Sequence, residues 1–200
     1  MTVKSLKHSS LTDNVFYRSM LAGNAGFVPS DEDVLDEVVL TSSAASVTFS
    51  GLDTLAAGYE HLQVRMTGRS NGAVGANAVY AYLNGDSSAS YASHRLQANG
   101  SAVSSSAYTG GGNGWIGYMA GNNGTANVFG ALVADFLDFS SSSKNTTWRA
   151  LGGNPDPTTD DYVGLYSGVY LNTAAMTSLT LFHGTGSWVS GSRFTLIGLK

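Results

Sequence analysis

Tyr59-Glu60-His61-Leu62-Gln63-Val64-Arg65-Met66-Thr67-Gly68-Arg69 is the stretch on which the reading of this chain turns. Leu62, Val64 and Met66 recur at every second position, with His61, Gln63, Arg65 and Thr67 between them. A period of two with apolar and polar residues alternating is the pattern of a strand that buries one face and wets the other. Arg193–Leu199 repeats it, with Phe194, Leu196 and Gly198 set against Arg193, Thr195 and Ile197. Neither segment has the spacing of an amphipathic helix.

Working outward, the same reading predicts strands at Val34–Leu40, Ala45–Ser50, Asn77–Asn84, Tyr91–Gln97, Trp115–Met119, Ala126–Phe139, Asn145–Leu151, Tyr162–Leu171 and Ser178–His183. Turn formers separate them: Asn71-Gly72, Asn84-Gly85, Asn99-Gly100, Asn113-Gly114, Asn122-Asn123-Gly124 and Gly152-Gly153-Asn154-Pro155. Asn-Gly supplies the positive φ values of tight turns, so the strands are expected to follow one another as a meander of hairpins. The polar segment 98–114 is expected to project as a loop. With no crossover helices, the fold class is all-β: an antiparallel two-sheet sandwich of about ten strands, jelly-roll or concanavalin-like.

Composition agrees and narrows the function. The chain has 200 residues, of which 42% are hydrophobic and 12% charged, with 25 glycines and no cysteine. Charge is about half the usual ~25% of a soluble domain. The polar residues are mainly neutral, with 27 Ser, 17 Thr and 13 Asn. A net charge of −4 with ten Lys and Arg does not suit nucleic acid, whose binding needs a basic face. No apolar run approaches the ~18 residues of a membrane span, and no secretory leader is expected at the start. Zero Cys excludes disulfides, thiolate metal sites and thiol nucleophiles.

Five of the fourteen acids, Asp31, Glu32, Asp33, Asp36 and Glu37, fall within seven residues. They separate a leading arm, 1–33, from the sandwich, 34–200. Within the arm Phe16, Tyr17, Met20, Leu21 and Phe27 are apolar residues too few to bury one another. Isolated helices below ~12 residues are marginal in water. These five are therefore the predicted anchors of an arm docked on a partner, with Asp31, Glu32 and Asp33 available to pair with basic groups there.

Chemistry is harder to find. The four histidines, His8, His61, His94 and His183, show no metal-ligand spacing. No Gly-x-Ser-x-Gly elbow is present. Asp135 and Asp138, three apart in one predicted strand, point to opposite faces and cannot share a glycosidase cleft. Asn154–Asp161 offers oxygen ligands of the calcium type without a recognisable loop spacing. Tyr80 and Tyr82 share a strand face, while Tyr91, Tyr108, Trp115 and Tyr118 surround segment 98–114; exposed aromatics on a sandwich rim can stack on sugars, but packing in the core or an interface is the more frequent role. No catalytic residue, cofactor or metal is predicted.

Several phrases carry a resemblance. They include Ser46-Val47-Thr48-Phe49, Leu83-Asn84-Gly85-Asp86, Ser90-Tyr91-Ala92-Ser93-His94-Arg95-Leu96, Asp135-Phe136-Leu137-Asp138-Phe139 and Gly164-Leu165-Tyr166-Ser167-Gly168. The closing run Ser192-Arg193-Phe194-Thr195-Leu196-Ile197-Gly198-Leu199-Lys200, S-x-F-x-L-x-G-x-K, is the most specific. Over residues 41–200 the chain resembles a family of β-sandwich structural proteins of tailed bacteriophages. The resemblance implies a non-enzymatic virion protein, either a capsid decoration (cement) protein or a domain of a fibre, spike or baseplate that contacts host glycans. It implies the major capsid protein or another virion protein as partner, with a homotrimer as a candidate assembly. Fibre members often carry the domain behind a long shaft, whereas residues 1–30 precede it here. A carbohydrate-active enzyme on a lectin-like sandwich is the remaining, different class.

Overall fold

The computed structural model describes residues 31–156 and 161–200. Twelve strands form: β1 (Glu32–Val39), β2 (Ser46–Ser50), β3 (His61–Gly68), β4 (Ala76–Leu83), β5 (Tyr91–Ala98), β6 (Val103–Gly111), β7 (Gly114–Ala120), β8 (Gly130–Leu137), β9 (Thr147–Asn154), β10 (Tyr162–Tyr170), β11 (Ser178–His183) and β12 (Arg193–Leu199). One helical turn, α1 (Leu52–Leu55), follows β2. The strands make an eight-stranded sheet, β1-β12-β3-β8-β9-β10-β5-β6, and a four-stranded sheet, β2-β11-β4-β7. Every strand pairing is antiparallel, so the expected two-sheet sandwich is the fold.

The period-two stretches build its centre. Leu62, Val64 and Met66 of β3 are buried and lie opposite Phe136, Ala134 and Leu132 of β8. On the other side they meet Gly198, Leu196 and Phe194 of β12. The small sheet closes over them with Val47, Phe49, Val79, Leu83, Leu179 and Leu181. Trp148 and Trp188 are the largest buried side chains, and both need glycine beside them. A Cβ on Gly168 would stand 2.1 Å from the Trp148 ring, and one on Gly68 would stand 2.6 Å from that of Trp188. Part of the high glycine content is thus space for indoles.

The closing run also has a packing reason. The Tyr59 ring lies on Gly198, where a Cβ would come within 2.6 Å of it. At the same corner the Lys200 amide donates to the Asp31 carbonyl at 3.2 Å, so residues 31 and 200 are neighbours.

Five expectations are corrected. The first strand begins at Glu32, inside the segment assigned to the arm, because Glu32 and Asp33 pair with Leu199 and Gly198 of β12. Segment 98–114 is mostly strand β6, hydrogen-bonded to β5. The chain is not a simple meander: β5–β6, β8–β9 and β9–β10 are sequential neighbours, while the other consecutive strands do not pair. The Asn84-Gly85 turn has the double positive φ, 56° and 67°, of a hairpin turn, yet it carries the chain from the small sheet to the large one. Finally, Ile197 does alternate away from the core but is only 1% exposed.

Candidate functional site

A sheet with one wet face should carry polar side chains there, and the large sheet departs from this. Its register places Val133 of β8, Leu151 of β9, Leu165 of β10 and Leu96 of β5 side by side in one row. All four belong to the outer face, opposite the core residues Leu132, Ala150 and Tyr166. Leu96, Leu151 and Leu165 are each about half exposed. A neighbouring row adds Ala131, Gly153, Val163 and Ala98. Scattered surface leucines need no explanation, but a contiguous apolar patch marks an interaction surface.

Two shallow, adjoining hollows of about 440 and 550 Å³ lie along these rows. Their rim is charged. Arg149 donates to the Asp135 carboxylate at 2.9 Å and Gln63 donates to its other oxygen at 2.7 Å. Arg65 donates in turn to Gln63 at 2.7 Å and to Glu32. Arg193 holds Glu37 at 3.0 Å. Exposed ion pairs contribute little stability each. Here they border the apolar rows on the β1–β12–β3 side and at Asp135 and Arg149 with mutually satisfied charges.

The predicted anchors divide. Phe16, Tyr17, Met20, Leu21 and Phe27 lie outside the described residues. Asp31 is exposed, while Glu32 is held by Arg65 and Asp33 accepts the Tyr59 hydroxyl at 2.7 Å. Burial, with the Asp33 hydrogen bond second, pushes the Tyr59 phenol up to about 12. Two of the three acids thus already have work within the fold.

The remaining candidates separate in space. Asp135 faces outward on β8, but Asp138 falls beyond the strand end in a positive-φ turn, paired with Lys144 at 2.9 Å. Of the residues lining the two hollows, Asp135 is the one carboxylate. The buried Asp156 carboxylate accepts the Thr125 amide and hydroxyl at 2.6 and 2.9 Å; Pro157–Asp160 lie outside the described residues. His61 accepts the Asp138 amide at 3.0 Å, and His94 lines one hollow. His183 packs on Trp188 with ring centroids 3.7 Å apart, and burial pushes it down to about 4. His8 lies outside the described residues. No cluster of three metal-ligating side chains occurs among those described.

The aromatics are spent on one another. Tyr91 takes the core place, fully buried, stacked on Tyr170 and donating to the Asp86 carbonyl at 2.8 Å. Tyr80 and Tyr82 lie on the outer face of the small sheet, where Phe182 stacks on Tyr82 at 4.3 Å. Trp115 is covered by the Arg95 guanidinium at 4.2 Å, and Tyr118 stacks on Tyr162 at 4.9 Å. Of those residues Tyr108 stays exposed.

Sequence reading missed the apolar rows because their members come from four separate strands. A signal was present: Leu132-Val133, Ala150-Leu151 and Leu165-Tyr166 place apolar residues at adjacent positions, where a strand with one wet face would alternate. No helix among the described residues is long and apolar enough to cross a membrane. No protein-family profile matches the chain, and no curated protein matches it.

Proposed function

We propose that this chain is a non-enzymatic structural protein of a tailed-phage particle, a capsid decoration protein attached through its leading segment. The observation that carries the reading is the apolar row Val133–Leu151–Leu165–Leu96 on the outer face of the large sheet. Such a row has its use when another protein covers it. The resemblance of residues 41–200 to phage β-sandwich proteins supplies the partner class: the major capsid protein or another virion protein. Phe16, Tyr17, Met20, Leu21 and Phe27 serve as apolar anchors. Because Glu32 and Asp33 are engaged by Arg65 and Tyr59, attachment rests on those anchors more than on acidic pairing.

Particle assembly with a chain lacking residues 1–30 tests this. The truncated protein should fold and remain off the head, while the full chain is imaged on the capsid surface. Incorporation of the truncated protein at the full-length level overturns attachment through the arm. Density in the tail instead of the head overturns the decoration role.

A further inference from the structure

β6 is a strand without a core. Its residues are exposed until Gly111, with Val103 73% and Tyr108 52% exposed. The four-stranded sheet packs its β7 over β8, β9 and β10 and leaves β6 overhanging. Fixing a residue's backbone costs about 1–2 kcal/mol, which strands ordinarily offset by burying side chains. Among the described residues, the one partner of β6 is β5.

The two edges of the large sheet differ in kind. β1 carries Glu32, Asp33, Asp36 and Glu37 and breaks register between Val34 and Asp36. Charge and irregularity are the devices by which edges avoid pairing with other chains. β6, Val-Ser-Ser-Ser-Ala-Tyr-Thr-Gly-Gly, has no charge and no proline; its ladder with β5 also shifts register, but at the positive-φ Gly110 near its far end, leaving Val103–Thr109 regular. One edge is defended and the other is open.

We propose that β6 is a strand-addition edge whose partner is β6 of a second copy of this chain, paired antiparallel about a two-fold axis. A neutral strand meets itself with no like charges opposed, whereas β1 against itself would face four carboxylates with four. A two-fold axis at Ser106 sets Val103 opposite Thr109, Ser104 opposite Tyr108 and Ser105 opposite Ala107, with a β-branched pair at either end. In that register the outer-face row Val163–Ala98–Val103 runs on into Thr109–Ala92–Val169 of the second copy. The two apolar rows of one copy span four strands, about 15–20 Å by 10–15 Å or roughly 200–300 Å², less than the ~800 Å² per partner of a stable interface. Two sheets joined at β6 present twice that surface. The inference does not rest on the phage reading, since it concerns the free protein.

The absence of native cysteine makes the test direct. Single variants S104C, S105C, S106C and A107C of the full chain are oxidised, and the disulfide-linked dimer is measured on a gel. Yield should peak at S106C and fall on either side. Sedimentation should show a concentration-dependent dimer that S105E/A107E weakens roughly tenfold or more. Both substitutions are on exposed positions, so the thermal midpoint of the variant should match the parent. A monomer at every concentration, a trimer, or a dimer indifferent to S105E/A107E overturns the proposal.

Discussion

The Tyr59 hydroxyl donates a 2.7 Å hydrogen bond to the Asp33 carboxylate, across a ring that lies flat on Gly198. Three elements meet in this contact: the outermost strand, the loop ahead of β3 and the last strand. Tyr59→Phe keeps the ring and removes the donor. It should cost about 1 kcal/mol, since the bond is charge-assisted but partly exposed. Hydrogen exchange at β1 amides should quicken more than exchange in β8 or β9. Equal acceleration in all strands would contradict the local role.

Arg69 pins a different region. The residue is 8% exposed, and its guanidinium donates to the carbonyls of Thr125, Val128 and Gly124 at 2.6, 2.8 and 3.1 Å. Arg69→Met fills similar volume and donates nothing, leaving carbonyls without their donor. We expect a loss of about 2–4 kcal/mol in denaturant unfolding. A change below about 0.5 kcal/mol would show that water replaces the guanidinium.

Gly168 tests the space kept for Trp148. Alanine there meets the indole and the Ala92 carbonyl, at 2.1 and 2.5 Å for an ideal Cβ. Overpacking of this kind costs roughly 1–3 kcal/mol, and backbone contact resists relaxation. Gly168→Ala should lower the melting temperature and shift tryptophan fluorescence. Gly58→Ala serves as the comparison: its φ of 90° is strained, yet nothing lies within 4 Å.

His183 links stability to pH. Buried against Trp188, it stays neutral until about pH 4, whereas in the unfolded chain it titrates near 6.5. Between these values the unfolded state binds more protons, so stability falls as pH drops from about 6.5 to 4. The loss approaches about 3 kcal/mol, at ~1.4 kcal/mol per pH unit. His183→Phe should flatten this limb of the profile. An unchanged slope in the variant would assign acid sensitivity to the carboxylates.

The outer-face row can be tested without harming the core. Leu151→Lys and Leu165→Glu alter half-exposed side chains that lie opposite each other, so the new charges pair, and should leave stability within about 0.5 kcal/mol. Incorporation into particles should nevertheless fall sharply. Normal incorporation of the double variant would remove the row from the proposed interface.

The strands that bury one clean face could be read directly. β12 occupies the predicted residues 193–199, and β3 alternates as its sequence says. What escaped reading lacks that contrast. β6 is exposed on both faces, so Ser-Ser-Ser-Ala gives it no period and it resembles a loop. The acids at 31–37 look like a boundary, yet β12 supplies backbone partners and Arg65, Tyr59 and Arg193 supply side-chain ones. Tyr91 reads as either a core or a rim aromatic, and the turn at Asn84-Gly85 decides it by bringing the Leu83 amide and the Asp86 carbonyl to its hydroxyl. For the acids the deciding partners lie far along the chain, whereas for β6 and Tyr91 they are near in sequence but leave no periodic burial pattern to read.

The neighbouring positions of Asp31 and Lys200 turn one corner of the sandwich into a gatepost. From there to β6 the large sheet runs through seven strand spacings, about 34 Å. Residues 31 and 200 thus both stand at the acidic side of the sheet, away from the neutral edge. A short linker from 200 to 31, with new ends cut in the Asn99–Ala102 turn, should yield a circular permutant that folds. It would be tethered by the opposite edge, with the panel facing the other way.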